Sequence, residues 1–149
     1  MDRPPLFKNL KSVTQGFAWA IIDGSPGIEE LAVAALKVAD RVLIPVQPSP
    51  YDIWAAESLV ELVKTRQDIT DGKLKAAFLV SRQIVGTKLA GEIRAALEGY
   101  GLPIFSAYTS QRVIYANSAA QGSTVLDAEP QGAAAEEIRT LVQEIRIWR

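Results

Sequence analysis

Residues 18–52 read AWAIIDGSPGIEELAVAALKVADRVLIPVQPSPYD, and they decide the fold. AWAIID (18–23) is a continuous apolar run closed by an acid, with Pro26 and Gly27 just after it. IEELAVAALKVAD (28–40) has apolar residues at helical spacing and acids in its first turn, where the helix dipole favours them. RVLIPV (41–46) is a second apolar run, ended by the Pro-rich QPSPYD. Such runs, closed by turns and alternating with helices, read as strands buried on both faces of a parallel sheet.

The same rhythm continues outward. IWAAESLVELVKTRQ (53–67) is helical, with Trp54, Leu59, Leu62 and Val63 read as its core face. KAAFLVS (75–81) is a third strand, followed by a helix over about 87–99. LPIFSAY (102–108) is a fourth, followed by a helix over 111–120 that Gly122 stops. STVLD (123–127) is read as a short extended piece, and AAAEEIRTLVQEIRIW (133–148) as an amphipathic helix. Residues 1–17 are Pro-rich and polar without a strong period, so they stand apart from a domain at 18–149. If strands are added in one direction, right-handed crossovers place the connecting helices on one face. The C-terminal helix then covers part of the other face, and the fold looks one piece short.

Composition narrows the chemistry. The 149 residues carry 16 Lys+Arg and 17 Asp+Glu, a formal net charge of −1, so no overall basic field draws them to nucleic acid. Neither Cys nor His is present, which excludes disulfides, Cys/His zinc sites, thiol nucleophiles and Ser–His–Asp devices. Carboxylates, hydroxyls, Lys/Arg, backbone N–H groups and Mg²⁺ remain. No apolar run approaches the roughly 20 residues of a membrane helix, and MDRPPLFKNLK lacks the apolar stretch of a signal peptide. The expected location is cytoplasmic.

In open α/β sheets ligands bind outside the carboxyl ends of the strands. Residues 23–27, 47–50, 81–83 and 107–110 stand there, a polar set rich in Gly and Pro. Asp23 ends an apolar strand and meets Gly24, where a carboxylate can hold Mg²⁺ through water or simply cap a turn. Arg82 at another strand end can stack on a purine or pair with phosphate; a solvated loop arginine is the alternative. Arg112, at the start of a helix after a strand, can meet phosphate or a partner, or lie free on the surface. Arg139, Arg146 and Arg149, interleaved with Glu136, Glu137 and Glu144, read as a solvated face rather than a DNA contact. GxxxxGK[ST], the phosphate-cradling loop, is absent from the sequence.

The stretch from Phe17 to Val63 resembles the middle of the ParA-type partition ATPases of the MinD/ParA deviant-Walker group, whose nucleotide-binding domain is shared with cobyrinic acid a,c-diamide synthases, and the likeness covers about Phe17 to Arg149. The residues that carry the likeness are the Asp23-Gly24 strand end, IPVQPSPYD, the Ser81-Arg82 pair, and QRVIYANSAAQGSTVLD (111–127). The small ParF-like plasmid partition ATPases are most similar. The resemblance implies a P-loop NTPase-like parallel sheet with flanking helices, and an ATP- and Mg²⁺-dependent role in segregating plasmid or chromosomal DNA. It makes Asp23 the Walker B carboxylate and metal contact, and sets Gly24 and Pro26 beside the γ-phosphate. Gln47, Pro48, Ser49 and Asp52 would line the nucleotide or dimer side, and Arg82 would sit beside the base. Arg112 would fall in a region of self-association or DNA contact. The family's first strand and deviant Walker A have no counterpart here, so weak nucleotide binding and no hydrolysis are expected. A homodimer, a partition adaptor and non-specific DNA are the expected partners, with no membrane. The alternatives are a non-enzymatic module pairing with a full-length relative, and a cobyrinic-acid-synthase-like amide ligase.

Overall fold

The computed structural model describes residues 9–24, 29–86 and 89–148. In chain order the elements are α1 (Leu10–Val13), α2 (Glu29–Leu36), β1 (Arg41–Val46), α3 (Pro50–Ile69), β2 (Lys75–Gln83), α4 (Leu89–Glu98), β3 (Ile104–Ser110), α5 (Val113–Ala120), α6 (Val125–Ala128) and α7 (Ala133–Ile147). The strands form one parallel sheet in the order β1-β2-β3. This is an α/β, P-loop NTPase-like arrangement of parallel strands with flanking helices.

Strand alternation sets the two faces. On the central strand β2, Ala76, Phe78 and Val80 face one side, and Ala77 and Leu79 face the other. The first side packs on Ile53, Val60 and Val63 of α3, Ile93 and Leu97 of α4, and Leu36 of α2. The second packs on Leu141 and Ile145 of α7 and on Trp148, which meets Phe105 edge to face at 5.0 Å. The connecting helices therefore share a face, and the C-terminal helix covers part of the other, as right-handed crossovers require.

Three expectations need correction. AWAIID is not a strand: residues 17–24 are irregular, and Phe17, Trp19 and Ile21 are 73%, 51% and 93% exposed. A strand exists only where its backbone finds a partner, and among the described residues nothing pairs with this segment. Among the described residues the sheet thus has three strands, not four. STVLD is not extended either. Thr124 precedes α6 and its hydroxyl donates to the Asp127 carboxylate at 2.7 Å, a Thr-x-x-Asp pairing that favours a helical turn. Trp54 is no core residue. The buried stripe of α3 is Ile53, Ala56, Val60 and Val63, and Trp54, one position off it, is 63% exposed against Tyr51.

Phe78 and Leu97 are completely buried in the first cluster. Leu97→Ala is expected to destabilise the domain by about 2–5 kcal/mol, through lost burial and the cavity left behind. Urea unfolding followed by circular dichroism measures this, and a change under about 1 kcal/mol would contradict the packing described.

Candidate functional site at the carboxyl ends of the strands

The Gln47–Asp52 turn follows β1 and starts α3. Ser49 N–H donates to the Gln47 carbonyl at 2.7 Å, and the Ser49 carbonyl accepts Ile53 N–H at 3.1 Å. Ser49 is extended, Pro50 takes the first helical position, and Asp52 lies in the first turn, where its charge meets the helix dipole. Pro48 and Pro50 make this a stiff turn with Gln47 exposed to solvent.

At the end of β2 the pairing with β3 shifts register between Val80 and Gln83. Arg82 takes up this irregularity with a φ of 55°, in the left-handed region that non-glycine residues rarely enter. Its N–H donates to Thr109 Oγ1 of β3 at 3.2 Å, which holds the kink. Beyond it a cleft of about 530 Å³ opens between the two strand ends. Gln83, Ile84 and Val85 form one wall; Ser110, Gln111, Arg112 and Val113 form the other. Gln111 N–H donates to the Gln83 carbonyl at 3.0 Å and joins the walls at the base. The lining is mixed, with apolar Ile84, Val85 and Val113 beside amide, hydroxyl and guanidinium groups. That suits a flat, partly polar ligand.

The second wall is tied to α7 by one carboxylate. Glu137 Oε1 accepts from Arg112 Nε at 3.0 Å and Nη2 at 2.9 Å. Its Oε2 accepts Ser110 N–H at 3.0 Å and the Tyr115 hydroxyl at 2.9 Å. Burial opposes this charge, but the Ser110 N–H, Arg112 and Tyr115 together hold the carboxyl below its ordinary range. Burial, and then its hydrogen bond to Glu137, push the Tyr115 phenol well above its usual value. Arg112 is raised in turn by its bond to Glu137.

Glu144, seven residues along α7, does similar work. Its carboxylate accepts Ser106 N–H at 2.8 Å and Ala107 N–H at 2.7 Å. From the other face Arg94 donates to the Phe105 carbonyl at 2.9 Å. The outer edge of β3 is thus closed by side chains. This corrects the reading of the α7 glutamates as a solvated face: Glu137 and Glu144 are half-buried and hold the strand, while Glu136 stays exposed. The signal was present in their spacing, because positions seven apart share one helix face with Leu141 between them.

The expected site is brought together only in part. Arg82 and Arg112 stand at or beside the cleft. Asp23 and Gly24 are exposed in the irregular segment, and Pro26 lies outside the described residues. Among the described residues, no hydrogen bond or ion pair joins Asp23 or the Gln47–Asp52 turn to the cleft. None of the described residues form a cluster of three carboxylates able to cage a metal. A single carboxylate such as Asp23 suits a Mg²⁺ held mainly by phosphate oxygens and water. No described helix is long and apolar enough to cross a membrane.

Comparison of the sequence with known proteins shows its family. A family model described as "AAA domain" matches residues 1–76. The chain belongs to that family. Over 146 residues it is 27% identical to the maintenance of carboxysome distribution protein A of Halothiobacillus neapolitanus, covering 97% of this chain and 67% of that protein. Over 136 residues it is 26% identical to the chromosome-partitioning ATPase Soj of Thermus thermophilus, covering 88% of this chain and 53% of that protein. The chain therefore spans about half to two thirds of these relatives. The family model and both relatives support the ParA/MinD-type kinship first read from the motifs.

The Glu137 carboxylate has a lowered pKa in the folded state, so its contribution to stability is present above the ordinary glutamate range. That contribution is lost as pH falls through its folded value. Unfolding free energy is expected to drop below about pH 4. Glu137→Gln should be less stable at neutral pH and show a shallower acid slope. Parallel slopes in urea titrations from pH 7 to 3 would contradict this assignment.

Proposed function

We propose that this chain is the nucleotide-binding part of a ParA-type ATPase that positions or segregates a cellular cargo, and that the cleft between β2 and β3 takes the base of the nucleotide. The observation that carries this reading is the cleft itself. It lies outside the carboxyl ends of two parallel strands, next to an arginine in a strained backbone conformation. Apolar Ile84, Val85 and Val113 offer surfaces for a purine, Gln83 and Gln111 offer amide groups for its edge, and Arg82 can stack on its face. The relatives support an ATP-dependent positioning role, since one is a chromosome-partitioning ATPase and the other a protein that maintains carboxysome distribution.

ATP, when bound, supplies phosphate oxygens to hold Mg²⁺, and Asp23 is the carboxylate suited to orient water on that ion. By the same reading Gln47, Pro48, Ser49 and Asp52 would line the nucleotide side or a dimer face, and Gly24 and Pro26 would belong beside the phosphates. The ParF-like character, a homodimer, a partition adaptor, DNA contact through Arg112 and a cytoplasmic location belong to the same reading. No residue among these 149 supplies the phosphate-cradling GxxxxGK[ST] loop, so the polypeptide by itself holds the base and leaves the phosphates loose.

Two outcomes test this. The 149-residue polypeptide should show no Mg²⁺-dependent ATP hydrolysis above background, because phosphoryl transfer depends on positioning the phosphates. Turnover abolished by Asp23→Ala would overturn that. Calorimetry should give adenosine and ATP affinities within about threefold of each other, a difference under 1 kcal/mol. Arg82→Ala should weaken both. Micromolar ATP binding with no measurable adenosine binding would instead place the site on the phosphates.

A further inference from the structure

The second wall of the cleft has little hydrophobic seating. Of α5, only Ser118 is buried, and its hydroxyl is turned back onto the Ile114 carbonyl of the same helix at 2.8 Å. Val113, the first helical residue, is 75% exposed. The start of α5 carries no side-chain cap. A helix of 8 residues with so little apolar burial takes its position from elsewhere. Three of the polar groups that place it converge on one side chain. The last N–H of β3, the guanidinium of Arg112 and the phenol of Tyr115, one turn inside α5, all donate to Glu137. Further ties among the described residues are the bond from the Tyr115 hydroxyl to the Ala134 carbonyl of α7 at 3.3 Å and the bond from Gln111 to Gln83 at the base of the cleft.

We propose that Glu137 is a positioning residue for the cleft: by gathering Ser110, Arg112 and Tyr115 on one carboxylate, it fixes the β3–α5 wall and makes its placement depend on where α7 sits. The consequence for a nucleotide base rests on the function proposed above; the fixing of the wall does not. α7 is seated separately, through Leu141 and Ile145 on the second sheet face and Glu144 on the edge of β3. Ala134 and Ala135, buried at the start of the same helix, hold Glu137 at that position. Arg112 is accordingly paired to Glu137 while its side chain stays 36% exposed, and its geometry serves the wall.

The test uses the whole 149-residue chain, with hydrogen exchange by mass spectrometry and binding of a fluorescent adenosine analogue. Glu137→Gln keeps the shape and removes the charge. It should speed amide exchange over residues 110–120 by about tenfold or more, with β2 amides at 76–80 unchanged. Tyr115→Phe, which removes one of the three arms on Glu137 together with the bond to the Ala134 carbonyl, should give a smaller change in the same segment. It also serves if the glutamine variant does not fold. Analogue affinity should fall with the same ordering. Unchanged exchange over 110–120, or equal acceleration in β2, would overturn the proposal. Loosened exchange with undiminished analogue binding would likewise overturn the positioning role and leave the base site standing. Failure of the unaltered protein to bind the analogue would sink the base site, and exchange alone would then decide whether Glu137 sets the wall.

Discussion

A strand at the edge of a sheet has backbone groups on one side with no strand to meet, and much of this structure follows from how β3 resolves that. Its outward N–H groups at Ser106, Ala107 and Ser110 end on two carboxylates of α7, and the Phe105 carbonyl ends on Arg94 of α4. Charge-assisted bonds to backbone N–H groups are short and directional, so they fix the lengthwise placement of the helix where apolar contact alone would let it slide. That placement brings Leu141, Ile145 and Trp148 over the second sheet face. It also delivers the carboxylate of Glu137 to the end of the strand where the cleft begins.

The opposite edge is built differently. β1 carries exposed Pro45, which has no N–H to give to a further strand. At its start Arg41 donates to the Ile145 carbonyl at 3.1 Å, and its guanidinium lies over the rings of Trp19 at 5.2 Å and Trp148 at 6.0 Å. One edge is therefore closed along its length by side chains reaching from both faces. The other is anchored at its entrance, where the irregular 17–24 segment is held by one cation–π contact.

Much of this was legible in the residues. RVLIPV, KAAFLVS and LPIFSAY are apolar and bounded by turns, and all three are strands within two residues of their expected ends. The one-sided placement of α3 and α4 followed from handedness alone. What misled was AWAIID, whose composition is that of a strand but whose conformation depends on a partner that composition does not name. The polar core of the site was hidden for a related reason. Glutamates on an amphipathic helix read as solvated until the strand they cap is set beside them, and nothing local in α7 announces β3. Arg82 was singled out by its place at a strand end, but its left-handed backbone goes with a register shift against β3, a pairing that its own neighbours in sequence do not show.

The arrangement around Arg41 has an optical side. The protein has three tryptophans. Two of them flank a single guanidinium, one from the 17–24 segment and one just past the end of α7, while Trp54 stands in solvent against Tyr51. Emission from the first pair is therefore sensitive to whether both segments stay docked on β1, and emission from the third to whatever approaches the start of α3. Replacing Trp54 by phenylalanine would leave a chain whose remaining fluorescence reports on one junction, without any attached dye.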